Sequence, residues 1–188
     1  AELLQAINSI DHAAWITAVD PRLILPTLVD ASTDAQTIII PGRLIGMDVT
    51  DTSPHLNDVY VTAGRAMGTA DNNQPVAVLE HKFAASYELP PQGEIRLSGD
   101  RTLNYVGTGL SPEYFVVFTE EGGMMAEANF AVVFLPLATA QTLSDHPGMV
   151  NDILFTLSAD ADLAILRDEL QAAVQGIDRV GLSFMVPQ

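Results

Sequence analysis

The stretch FAVVFLPLATA, residues 130–140, is the longest apolar run in the chain and constrains the fold more than any other feature. It is roughly half the ~20 residues that a helix needs to cross a bilayer, and Pro136 interrupts it. Such a run belongs inside a folded core. Residues 130–135 read as a buried strand, 137–145 as a helix and 153–157 as a second strand. Residues 162–174 read as a helix with Leu163, Leu166, Leu170 and Val174 on one face, and 180–186 as a closing strand. Strand, helix, strand, helix, strand in this order predicts a split βαβ layer.

The opening of the chain supplies more of the same layer. Leu3, Leu4, Ile7 and Ile10 share one face of an amphipathic helix. Residues 15–19, 23–29 and 37–49 read as strands, punctuated by Pro21, Pro26 and the polar stretch 32–34. A short strand at 59–61 runs into the turn Ala63-Gly64-Arg65. The polar, proline-terminated stretch 71–75 is the clearest internal boundary. After it come a strand at 76–79, a helix at 80–87 and a turn forced by Pro90-Pro91-Gln92-Gly93. Ile95 and Leu97 alternate with polar residues, as do Leu103 and Tyr105, across Ser98-Gly99-Asp100-Arg101. That pattern predicts a hairpin with Gly99 at the positive φ of a type II′ turn. Strands at 106–109 and 114–118 follow, then a flexible connection at 119–127. The expected class is α+β in two lobes. An α/β lobe is built from both chain ends, 1–71 and 128–188, and a β-rich lobe, 72–127, is inserted in it.

The chain has 188 residues, no cysteine, and 24 acidic against 8 basic residues, a formal charge of -16. Lys82 is its one lysine. Such a surface repels phosphate backbones, so nucleic acid is excluded as a partner. The missing cysteines exclude a disulfide framework and thiolate metal sites.

No reaction class finds its local motif. His12, His55, His81 and His146 never fall at i,i+3 or i,i+4, so a zinc site has no support and they read as isolated surface or loop residues. Asp160 and Asp162 straddle the start of the last helix, where capping the free N–H groups outweighs cation binding. Asp48, Asp51 and Asp58 lack the spacing of a calcium loop. Ser111 is followed by Pro112, which spoils a nucleophile elbow. Gly107-Thr108-Gly109 lacks the lysine of a phosphate cradle. Arg65 reads as structural, pairing with a carboxylate or capping a strand turn. Met124 and Met125 follow a Gly pair, and two readings stand. They form an adaptable surface for a partner, or they tuck into the seam between the lobes.

Several short stretches taken in order resemble a known family. They are Gly46-Met47-Asp48, Asn57-Asp58-Val59, Gly64-Arg65, Val106-Gly107, Ser111-Pro112-Glu113-Tyr114, and the closing half from "FAVVFLPLATAQTL" to "DLAILRDELQAAV". Their sequence is similar to the periplasmic core domain of MacB-like ABC-transporter permeases, of the MacB, FtsX and LolC type. The similarity is one of pattern and spacing over nearly the whole chain.

The resemblance implies an extracytoplasmic domain on the outer face of the bacterial cytoplasmic membrane, set between the first and second membrane helices of a permease. It implies a porter-like α/β lobe with a sabre-like insert, no cofactor and no catalysis of its own. It also implies mechanotransmission: ATP-driven motion of the membrane helices is passed to a periplasmic or extracellular protein partner. The ATPase would be a separate subunit, reached through the membrane part, and a second permease copy or sister subunit would complete the assembly. Two other functions compete: a stand-alone module holding a hydrophobic ligand between two lobes, and a hydrolase in which a distant histidine and acid converge.

Overall fold

The computed structural model describes residues 2–50, 56–114, 129–175 and 177. They form two compact units, one of Ala1–Val19 with Phe155–Gln188, the other of Asp20–Leu154. The described secondary structure comprises strands β1 (Ile16–Asp30), β2 (Ile39–Met47), β3 (Tyr60–Gly64), β4 (Val76–Glu80), β5 (Gly93–Leu97), β6 (Arg101–Leu110), β7 (Ala131–Pro136) and β8 (Asp152–Leu157). The helices are α1 (Glu2–Asn8), α2 (His81–Ser86), α3 (Leu137–Leu143) and α4 (Leu163–Val174). The class is the expected mixture of α and β. The expected closing strand at 180–186 lies outside the described residues.

In the larger unit the strands run β2-β7-β4-β6-β5-β1, and β1 also pairs with β2. Six strands therefore close on themselves. The ring is mixed: β2 with β7 and β4 with β6 are parallel, the other joins antiparallel. β3 lies alongside β6, and β8 alongside β1. Strands β4 and β5, expected in an inserted lobe with β6, bond directly to β7 and β1 of this same ring, and β6 lies between them.

β7 explains the continuous apolar run. Ala131, Val133 and Leu135 join one core with Leu79, Leu103, Phe83 of α2 and Ala140 of α3. Val132 and Phe134 join a second with Ile45, Met47, Val78 and Tyr114. A strand buried on both faces has no polar side to alternate with, so it reads as unbroken hydrophobicity. The Phe134 and Tyr114 rings meet edge to face at 5.9 Å, a favoured geometry for aromatic pairs.

Glycines set the closest approaches. A Cβ on Gly46 would stand 2.5 Å from Ala140 Cβ, so its absence seats α3 on β2. A Cβ on Gly107 would stand 2.5 Å from the carbonyl oxygen of Arg65, and one on Gly109 would stand 2.5 Å from Val59. The Gly107-Thr108-Gly109 stretch is thus the bed on which β3 lies. Gly64, at φ +76°, then turns the chain away.

The prolines expected to break the opening strands do not. β1 runs through both Pro21 and Pro26 for fifteen residues. Even-numbered residues of β1 present their backbone groups away from β2. Ile24 bonds the Asn151 side chain in both directions, and Leu28 bonds Ser98. Pro26 falls between these two clamps, where no ladder partner calls for its missing N–H. Pro21 lies beyond Leu23↔Gly46, the last register pair with β2. The hairpin forms as expected with Leu97 opposite Arg101. Gly99 and Asp100 both have positive φ, however, whereas a type II′ turn has one such residue.

In the smaller unit, α1 packs on α4. Leu166, Leu170 and Val174 are buried, while Leu163, expected on the same face, is exposed at the first turn. Asp162 caps α4, its carboxylate accepting the N–H groups of Ala164 and Ile165 at 2.9 and 3.2 Å.

Candidate functional site

The most developed polar site lies in the larger unit, around Arg22 on β1. Its side chain leaves the strand between apolar neighbours and is only 4 % exposed. A buried guanidinium carries five donors and a full charge, so the fold must supply carboxylates. Two are present. Arg22 Nε donates to Asp152 Oδ2 at 2.7 Å, at the start of β8. Nη2 donates to Glu113 Oε1 at 3.1 Å, and Nη1 to Glu113 Oε2, a forked pairing. Burial on its own lowers the arginine pKa, but the bonds and charges of Glu113, then of Asp152, outweigh it and hold the group above its ordinary range. Arg22 is therefore a permanent cation.

Neighbouring groups on the same strand tie further loops to it. Buried Asp20 accepts the backbone N–H of Leu56 at 3.2 Å. Asn57 donates its side-chain amide to Glu113 at 3.3 Å, and its carbonyl accepts the Ser111 hydroxyl at 3.3 Å. Asn151 donates its backbone N–H to the Arg22 carbonyl at 3.1 Å and clamps Ile24 with its side chain. Asp20, Arg22 and Ile24 thereby gather residues 56–57, 111–113 and 151–152 onto one stretch of β1.

A second clamp holds the turn after β3. Arg65 makes a forked pair with Asp71 at 2.7 and 2.8 Å, and Asp71 also accepts the N–H of Gly68 at 3.0 Å. The bond from Arg65 holds the Asp71 carboxyl below its ordinary range. Nearby, the Thr62 hydroxyl lies 2.9 Å from His81 Nδ1 and 3.1 Å from the Thr108 carbonyl.

At another place in the same unit, Leu28 and Ile39 stand 51 % and 57 % exposed and line an open groove of about 220 Å³ with Asp30, Arg96 and Asp100. In the smaller unit, Glu169 takes both the backbone N–H of His12, at 3.0 Å, and its Nδ1, and the His12 ring stacks on Trp15 at 4.1 Å. The bond from His12 holds the Glu169 carboxyl below its ordinary range.

The residues singled out from the sequence take mostly structural places. Ser111 bonds the Asn57 carbonyl, Arg65 holds a turn, and Asp162 caps a helix. Asp48 accepts the backbone and side chain of Thr50 at 2.9 and 2.8 Å, and Asp58 accepts the N–H of Val59. Met124, Met125, His55 and Asp51 lie outside the described residues. Among the described residues no group of His, Asp and Glu side chains is placed to hold a metal ion, and no helix is long and apolar enough to cross a membrane. Sequence reasoning passed over Arg22 and Asn151. The available signal was a charge set inside an apolar strand, Arg22 before Leu23-Ile24-Leu25.

The fold itself has known counterparts. Over 92 % of this chain and 78 % of the other, it matches the extracellular domain of the noncanonic ABC-type transporter YknZ from Gram-positive bacteria, with a TM-score of 0.59 and 10 % identity. Over 91 % of this chain and 72 % of the other, it matches the periplasmic region of MacB from Actinobacillus actinomycetemcomitans, with a TM-score of 0.56 and 13 % identity. No protein-family model and no curated protein sequence matches the chain. The resemblance read from motif order is thus met by the fold: the chain has a MacB-like fold.

Proposed function

We propose that this chain is the extracytoplasmic domain of an ABC-transporter permease, set on the outer face of the bacterial cytoplasmic membrane. The observation that supports this reading is the likeness in fold, across nine-tenths of the chain, to the corresponding domains of two such transporters. In this reading the domain breaks no bonds. ATP is hydrolysed by a separate subunit, and motion of the membrane helices reaches a periplasmic or extracellular partner through this domain. A second permease copy or a sister subunit completes the transporter. Met124 and Met125 touch the partner.

The first test is the coding sequence on both sides of the chain. The proposal requires an apolar span of about 20 residues before it and further spans after it. A complete gene without them ends the proposal, and binding of an apolar dye by such a free-standing protein would favour a hydrophobic-ligand module instead. The second test places a photo-crosslinking residue at Met124 or at exposed Ala66 of the membrane-embedded parent. Position 124 is expected to crosslink an extracytoplasmic protein and position 66 is not. Equal yields would remove the methionine contact.

A further inference from the structure

We propose that the Arg22 junction is a two-state latch, engaged or released as one unit, that pins residues 56–57, 111–113 and 151–152 to β1. The three loops are far apart in the chain, and all are held by Asp20, Arg22 and Ile24 through side-chain or backbone bonds. Glu113 is shared between Arg22 and Asn57, and Ser111 is bonded to Asn57, so two of the loops also hold each other.

The burial of Arg22, whose side chain is 5 % exposed while those of Glu113 and Asp152 are 30 % and 27 % exposed, makes this arrangement bistable. With both carboxylates in place, Arg22 has a counter-charge on each side. If the loop of Glu113 or of Asp152 departs alone, the buried guanidinium keeps one carboxylate but has donors on its other side left without a partner, which is unfavourable. If all depart together, every charge regains water, and the recovered hydration offsets much of the lost pairing. The two end states are therefore closer in free energy than the states between them, the condition for a discrete switch rather than gradual loosening. The closed ring of β2, β7, β4, β6, β5 and β1 keeps its ladder bonds in both states, so opening needs no unfolding. This inference stands whether or not the chain serves a transporter.

Hydrogen exchange on the intact chain tests it. The reporters are the amides of Leu56, bonded to Asp20, of Tyr114, bonded to the Ser111 carbonyl, and of Asn151, bonded to the Arg22 carbonyl. Glu113→Gln and Asp152→Asn each remove one charge without changing shape. Either is expected to speed exchange at all three reporters by about tenfold or more, since bonds to charged groups are involved, while Leu79 and Val133 in the ring are unchanged. Arg22→Lys, which keeps the charge and loses the fork, is expected to do the same. The proposal fails if Glu113→Gln affects Tyr114 alone and Asp152→Asn affects Asn151 alone, for the loops then open independently. It fails equally if Arg22→Lys leaves all three reporters protected, or if exchange rises to the same degree in the ring.

Discussion

Gly107→Ala adds one methyl group at the crowded crossing of β3 and β6 in the larger unit. The new Cβ would lie 2.5 Å from the Arg65 carbonyl oxygen, 2.9 Å from that of Ala63 and 3.1 Å from the Arg65 nitrogen. All three are backbone atoms, so no side chain can swing aside and β3 must lift from β6. Forced separation of packed elements costs about 1–3 kcal/mol. The Arg65 N–H bond to Val106 and the pairing of Gly64 with Gly107 are lost with it, at about 1 kcal/mol for each bond. A total of about 3–5 kcal/mol lowers the Tm by about 6–20 °C, at roughly 2–4 °C per kcal/mol for a chain of this size. Two other glycines separate the causes. Gly99 has nothing within 4 Å but sits at φ +79°, so Gly99→Ala carries only the left-handed penalty of about 1–2 kcal/mol. Gly68 has open space and an extended φ of -153°, so Gly68→Ala is expected to be neutral or to stabilise by up to ~1 kcal/mol through the unfolded chain. Thermal unfolding followed by circular dichroism orders the three variants. If Gly107→Ala melts with Gly68→Ala, the close crossing of β3 and β6 does not explain the Gly107-Thr108-Gly109 stretch.

Phe134→Ala removes a buried ring that packs against Tyr114, and is expected to cost about 3–5 kcal/mol by urea denaturation. Asp71 contributes to stability as a carboxylate held below its ordinary value of 3.8 by the bond from Arg65. The contribution is fully present above that value and is lost as pH falls through the lower folded one. Asp71→Asn should therefore lower stability at neutral pH and flatten its decline below about pH 4. The refuting result is an acid limb of unchanged slope. Glu169→Gln loosens His12, whose ring stacks on Trp15, the one tryptophan of the chain. Its signature is a changed Trp emission with an unchanged far-ultraviolet spectrum, and an unaltered emission would place the stack under other control.

What the sequence disclosed depended on whether the cause was local. The two-sided burial of β7 is written in FAVVFLP, and the α4 cap is written in Asp162, because burial and capping act on neighbouring residues. Pro21 and Pro26 misled for the opposite reason. A proline breaks a strand only where a ladder bond is required, and which edge of β1 needs partners is fixed by Asn151 and Ser98, distant in the chain. The closed order of strands was illegible for the same cause, since it rests on the join of Val29 and Asp30 to Leu97 and Arg96. Arg22 was visible as an oddity, but its partners lie 91 and 130 residues away.

The motifs that carried the resemblance have a common physical character. Gly46 admits α3, Gly107 admits β3, Gly64 turns the chain, Arg65 holds the turn, and Asn57, Ser111 and Glu113 brace one junction. Each fixes how one backbone segment is held against another. A fold specified by a few such contacts, with interchangeable apolar residues between them, can be kept at 10–13 % identity. The positions free to choose a partner are those the fold does not constrain, such as Leu28 and Ile39, more than half exposed beside Asp30 and Asp100. Substituting both by serine should therefore leave the melting temperature within about 4 °C, since each exposed site away from special features shifts stability by ~0.5 kcal/mol or less. A larger loss would show that this edge belongs to the core, and that the fold reaches further into the surface than its glycines and clamps imply.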